Sequence, residues 1–140
     1  SAIHAISRSP VNQLIYDALG MLGILAETEV ASAEQAQQGL RTLNAFMAEW
    51  QELDIMPSYY TQQQDELAND CPIPESEEMV VTAALAVRLS AYYKGSDPTR
   101  AAAIAGNGYR RLLRTLLTDT MPEADMSHRV HHANSDILTG

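Results

Sequence analysis

Gly39-Leu40-Arg41-Thr42-Leu43-Asn44-Ala45-Phe46-Met47-Ala48-Glu49-Trp50 decides the fold class. Its large apolar residues, Leu40, Leu43, Phe46, Met47 and Trp50, recur at steps of three and four. That is the period of one face of an α-helix, not the two-residue alternation of a half-buried strand. Upstream, Ser32 is followed three residues on by Gln35, a capping-box signature that starts the helix at Ser32. Downstream the pattern fades by Asp54, before Pro57.

Three more helices can be read outward from this one. Before it, Ser9-Pro10 offers a favoured cap residue and a proline pre-set for the first helical turn. Val11, Leu14, Ile15, Ala18, Leu19 and Leu22 then form an apolar stripe, and Gly23 is a stop. Residues 24–31 read as a connector. After it, a third helix spans 75–93. Glu75, Glu77 and Glu78 suit its positive N-terminal end, Met79, Ala83, Ala86, Val87 and Ser90 mark a face rich in small side chains, and Gly95 closes it. A fourth opens at Asp97-Pro98 and carries Ala101, Ile104, Ala105, Tyr109, Leu112, Leu113 and Leu116 on its stripe. The sequence thus predicts an all-α, four-helix bundle-like domain over residues 1–117.

Two segments fall outside this period. Residues 57–74 combine strand-like Ser58-Tyr59-Tyr60-Thr61 with the polar run 62–66, and Pro72 and Pro74 exclude a helix there. A connection this long is unusual in a compact domain and is often functional. It reads as a projecting arm containing a short hairpin. Residues 118–140 are polar, contain Pro122 and lack a helical period. They read as an extended C-terminal tail, able to reach roughly 75 Å at about 3.3 Å per residue.

Composition narrows the function classes. The chain has 140 residues, 46% apolar, which fits one domain and rules out a wholly disordered chain. Cys71 is the single cysteine, so an intrachain disulfide, a thiolate zinc cluster and a redox pair are all excluded. The net charge of −9 argues against tight duplex-DNA binding, which needs clustered Lys and Arg. No apolar run approaches the roughly 20 residues that span a bilayer. Ser1-Ala2-Ile3-His4 lacks the features of a secretory signal, and a start at Ser1 is expected from loss of an initiator Met.

Few residues invite a chemical reading. His128, His131 and His132 have a ligand-like spacing, but no helix is predicted to gather them, and a polar partner-contacting tail is the preferred reading. Gly106-Asn107-Gly108 lacks the Lys-Ser/Thr of a phosphate loop and reads as a packing or bending site in a helix. Glu49 and Glu52, three apart on one helix, resemble a glycosidase carboxylate pair only in composition and read as a solvated face. Trp50 reads as core. Arg110, Arg111 and Arg114 sit where a helix C-terminus favours cations, satisfying acidic neighbours or a partner subunit.

A resemblance adds to this reading. Leu14-Ile15-Tyr16-Asp17-Ala18-Leu19-Gly20-Met21-Leu22-Gly23-Ile24, an acidic connector, and then the helix ending Met47-Ala48-Glu49-Trp50 with a short polar run to Ile55 resemble the packaged-DNA stabilisation proteins, or tail accessory factors, of short-tailed phages. Leu85-Ala86-Val87-Arg88-Leu89-Ser90-Ala91-Tyr92-Tyr93 resembles that family's third helix. The resemblance spans roughly residues 10–117.

It implies a non-enzymatic virion protein without cofactors. Copies would form a ring, twelve in that family, under the portal protein, extending the DNA channel and seating a tail or nozzle protein. DNA would pass through the lumen without tight binding, and no membrane would be involved. The chain would be found in the virion neck, and in the host cytoplasm during assembly. The expected partner-binding residues are His128, Arg129, His131, His132, Ile137 and Leu138 in the tail, Arg110, Arg111 and Arg114 on the fourth helix, and Tyr59 and Tyr60 in the arm. The alternatives are an unrelated helical protein–protein interaction module or a virion-associated wall hydrolase.

Overall fold

A computed structural model describes residues 9–26 and 28–120, the last two of these by backbone alone. Four α-helices follow in order: α1 (Val11–Met21), α2 (Ala33–Glu52), α3 (Glu78–Leu89) and α4 (Thr99–Thr120). Short 3-10 turns at Glu75–Glu77 and Ser90–Tyr92 extend both ends of α3, so the expected helix over 75–93 is a composite. The fold is an all-α bundle. Among the described residues there is no strand, only an isolated bridge between Pro10 and Asp70.

The helix ends show why these segments start and stop where they do. Ser32 accepts the Gln35 backbone N–H at 3.1 Å, and the Gln35 side chain accepts the Ser32 N–H at 2.9 Å, which completes the capping box. At the end of α1 the Ile24 and Gly23 N–H groups donate to Leu19 and Gly20, each at 3.0 Å, with Gly23 at φ +74. This is a Schellman stop, and it needs a residue without a Cβ penalty in the left-handed region. At α4 the Asp97 carboxylate accepts both the Thr99 N–H (3.1 Å) and its hydroxyl (2.7 Å). The Asp97 carboxyl is held below its usual range, first by the Thr99 hydroxyl. Helix α4 runs to Thr120, beyond the Leu117 at which the apolar pattern ends.

Ser9 does not cap α1. Pro10 holds the cap position and supplies no side-chain acceptor. The orphan N–H groups of Val11 and Asn12 donate instead to the carbonyls of Asn69 and Leu67, at 3.0 and 2.9 Å. Those carbonyls belong to the 57–74 segment, which therefore does not project as an arm. It folds back on the bundle and buries Tyr59, Gln62, Cys71 and Ile73.

One side chain fixes much of that return. The Asn44 amide on α2 donates to the Gln62 carbonyl, and its oxygen accepts from the Gln62 N–H, both at 2.9 Å, as well as from the Tyr59 hydroxyl. The Cys71 N–H donates to the Ser9 carbonyl at 3.1 Å and closes the clasp across the start of α1. A segment without helical period still satisfies its backbone, as a buried polar chain must.

Helix α3 is the centre of the bundle and packs against each of the other three. It is buried nearly all round: Val80, Val81, Thr82, Ala83, Ala84, Leu85, Ala86 and Leu89 are all enclosed. The single face of small residues expected there is therefore replaced by burial on several sides, with Met79 exposed and Val87 half-buried. An all-round apolar helix is what a central position demands. Leu19, Leu43, Trp50 and Leu112 are buried as their stripes predict. Where α1 meets α2, a Cβ on Gly39 would stand 2.5 Å from Ile15 Cγ2, so the contact requires glycine. Trp50 links α2 to α4, edge-on to Phe46 at 5.4 Å and tilted on Tyr109 at 5.6 Å, while the Arg88 guanidinium of α3 lies 4.5 Å above the Phe46 ring.

Candidate docking surfaces

The register of α4 on α3 sets what α4 offers to solvent. Gly108 packs on Val80, and Arg111 reaches Glu77. Residues after Arg111 thus run past the first turn of α3, roughly 13 Å of helix at 1.5 Å per residue. Ala101, Gly108 and Leu112 are buried beneath α4, and Ile104, Ala105 and Leu116 are half-buried on that side. The opposite side carries Arg110, Arg114 and Leu117, spaced four and three apart and all exposed, which makes them one outward stripe.

The three arginines therefore separate. Arg111 pairs with the buried Glu77, at 2.5 Å to Oε1 and 3.1 Å to Oε2, a bidentate geometry. The Arg111 hydrogen bond is the first cause that holds the Glu77 carboxyl below the usual carboxylate range. Arg111 thus satisfies an internal acidic neighbour, and is not free to bind a partner through its fork. Among the described residues Arg110 bonds to its helical neighbour Asn107, at 2.5 Å, and with Arg114 is exposed.

The two tyrosines also divide. Tyr59 is a core residue, 2% exposed, with its hydroxyl tied to Asn44, and burial raises its pKa. It cannot be a contact residue on the folded surface. Tyr60, next in the chain, is 57% exposed and remains available. His128, Arg129, His131, His132, Ile137 and Leu138 lie outside the described residues.

A second surface was not anticipated from the sequence. A groove of about 520 Å³ runs between α1 and α3, lined by the buried Leu14 and Leu25, by Met21 and Met79, and by the more exposed carboxylates of Asp17 and Glu78. Met79 is 59% exposed. One Glu78 oxygen accepts the Ser9 N–H at 2.9 Å, and Asp17 accepts from Gln13 at 2.9 Å. The available signal was Met79, an apolar residue one position away from the α3 face that meets α4.

Glu49 and Glu52 are exposed on α2, in keeping with a solvated face. Gly108 in the glycine-rich triplet is a packing site, in keeping with its sequence reading. Among the described residues, no three His, Cys, Asp or Glu are grouped to hold a metal ion, and no helix is long and apolar enough to cross a membrane. No protein-family model matches the chain, and no curated protein is significantly similar to it.

Proposed function

We propose that this chain is a structural subunit of a phage virion, a head-to-tail adaptor whose copies form a ring beneath the portal. The ring extends the DNA channel, helps to retain packaged DNA and seats the tail. The observation that supports this reading is the presence of two unlike exposed surfaces on one small bundle: a cationic, leucine-tipped stripe on α4 and an apolar groove with carboxylates beside it between α1 and α3. A ring subunit needs two unlike surfaces, because ring closure uses heterologous contacts. The resemblance of residues 10–117 to tail accessory factors supplies the setting.

The charge fits that setting. With a net charge of −9, the chain repels the phosphate backbone, so DNA in the lumen slides rather than adheres. The terminal segment 118–140 is the proposed portal contact, through Ile137 and Leu138 and the basic set His128, Arg129, His131 and His132.

Electron microscopy of the chain mixed with its cognate portal tests the reading. The expected result is an added ring of density on one end of the portal. Portal particles unchanged at saturating chain would refute it. Removal of residues 121–140 is expected to leave the thermal midpoint nearly unchanged and to abolish portal binding.

A further inference from the structure

The two docking surfaces lie on opposite sides of α3. Helix α4 covers the side bearing Glu77 and Val80, and farther along Ala84 and Val87 line a shallow pocket together with Ala102, Ala105 and Tyr109 of α4. The groove uses Glu78, Met79 and Thr82. At about 100° of rotation per residue, the two sets point roughly 170° apart. The outward stripe of α4 faces farther still from the groove, so the two cannot meet within one copy.

Their chemistry is matched. Among the described residues, Leu117 and Met79 are two of the few large apolar side chains left more than half exposed, at 54% and 59%. Arg110 and Arg114 flank the first, and Asp17 and Glu78 line the groove with the second. In a chain with nine Lys and Arg against eighteen Asp and Glu, copies repel one another unless contact sets cation against anion. A helix laid by its apolar and basic side into a groove with carboxylates beside it satisfies both demands.

We propose that the outward stripe of α4 in one copy, Arg110, Arg114 and Leu117, occupies the α1–α3 groove of the next. Leu117 enters beside Met79, and the two arginines meet Asp17 and Glu78. Because the paired surfaces differ and face opposite ways, each copy still offers a free groove and a free stripe, and copies add head to tail. The inference rests on the adaptor reading for closure into a ring, but the pairing itself rests on the geometry and charge of this chain.

Cysteine trapping on the full chain without portal tests it. The native Cys71 is buried and stays silent. Copies with Met79→Cys are mixed with copies with Leu117→Cys at high concentration and oxidised. The expected result is at least tenfold more covalent dimer than either copy gives alone, or than Met79→Cys gives with Leu53→Cys, an exposed site on another face. The doubly substituted chain gives a ladder of higher species. Arg110→Glu with Arg114→Glu suppresses the cross-link, and Asp17→Arg in the opposing copy restores part of it.

A mixed yield no higher than the Leu53→Cys control overturns the proposal. So does Met79→Cys that reacts only after removal of residues 1–8, which would mean that the chain's own start covers the groove. Cross-linking of Met79→Cys to added portal in place of Leu117→Cys also overturns it. Portal binding by the unsubstituted chain is read separately. Trapping without portal binding leaves this interface standing and counts against the adaptor reading, and portal binding without trapping does the reverse.

Discussion

Gly108 lies so close to Val80 that a Cβ on the glycine would stand 2.3 Å from Val80 Cγ2 and 2.6 Å from Cγ1. The contact of α4 with α3 is therefore set by the absence of a side chain. Two turns-worth of chemistry depend on that register, since it also brings Arg111 to Glu77 and turns Arg110 and Arg114 outward.

Gly108 and Gly106 should respond oppositely to the same change. Alanine gains about 1 kcal/mol over glycine in a helix interior. At Gly106, where among the described residues the Arg110 guanidinium alone approaches, at 3.7 Å, Gly106→Ala is expected to stabilise by about that amount. At Gly108 both methyls of the branched Val80 stand in the way and neither can swing clear, so overpacking falls in the upper part of the range of about 1–3 kcal/mol, exceeds the gain, and Gly108→Ala destabilises. Adding Val80→Ala to Gly108→Ala should recover about 1 kcal/mol relative to the sum of the two single changes. Urea unfolding of the four variants checks this, and equal effects at both glycines would contradict the close approach.

Trp50 tests the aromatic link between α2 and α4. It is 3% exposed and touches Phe46 and Tyr109. Trp50→Ala is expected to cost about 3–5 kcal/mol in chemical unfolding. A loss under about 1 kcal/mol would mean that the ring closes no cavity.

The Glu77–Arg111 pair predicts an acid limb in stability. The folded carboxyl is held below its ordinary value by the Arg111 hydrogen bond first. Its contribution is therefore complete above the unfolded carboxylate range, near pH 4.3, and is lost as pH falls through the depressed folded value. Arg111→Met should lower the thermal midpoint at pH 7, and its gap to the parent chain should narrow as pH falls below about 4.3 and close only below the depressed folded value. Parallel midpoint curves from pH 7 to pH 2.5 would contradict the pairing.

Cys71 offers a reporter for the 57–74 clasp. Burial first, and the neighbouring Glu78 second, push its thiol up to about 12. Since thiolate is the reactive form, labelling at pH 8 should be slower than in the unfolded chain by roughly three orders of magnitude. Asn44→Ala removes the anchor for Tyr59 and Gln62 and should speed labelling at least tenfold without unfolding the helices. Complete modification of the native chain within seconds would contradict the clasp.

The first two helices were legible because each had a period and a local end signal: the Ser32–Gln35 box, the Gly23 stop and the α2 stripe all stand where the residues place them. The packed return of 57–74 was not legible. Its supports are Asn44, thirteen positions before it, and the N–H groups of Val11 and Asn12, more than fifty residues from their acceptors. No local pattern encodes such partners. Tyr59 and Tyr60 looked alike in sequence, and only the Asn44 contact distinguishes the buried ring from the exposed one. The α4 stripe was half legible as a basic cluster. The groove was not, because it is formed between α1 and α3.

The central claim is that this chain adds to a portal as a ring of copies. Native mass measurement of portal titrated with the 15.3 kDa chain tests it most directly. The account predicts that bound mass saturates at one ring, twelve copies if the resemblance holds in full. Absence of added mass, or one or two copies at saturation, would contradict it.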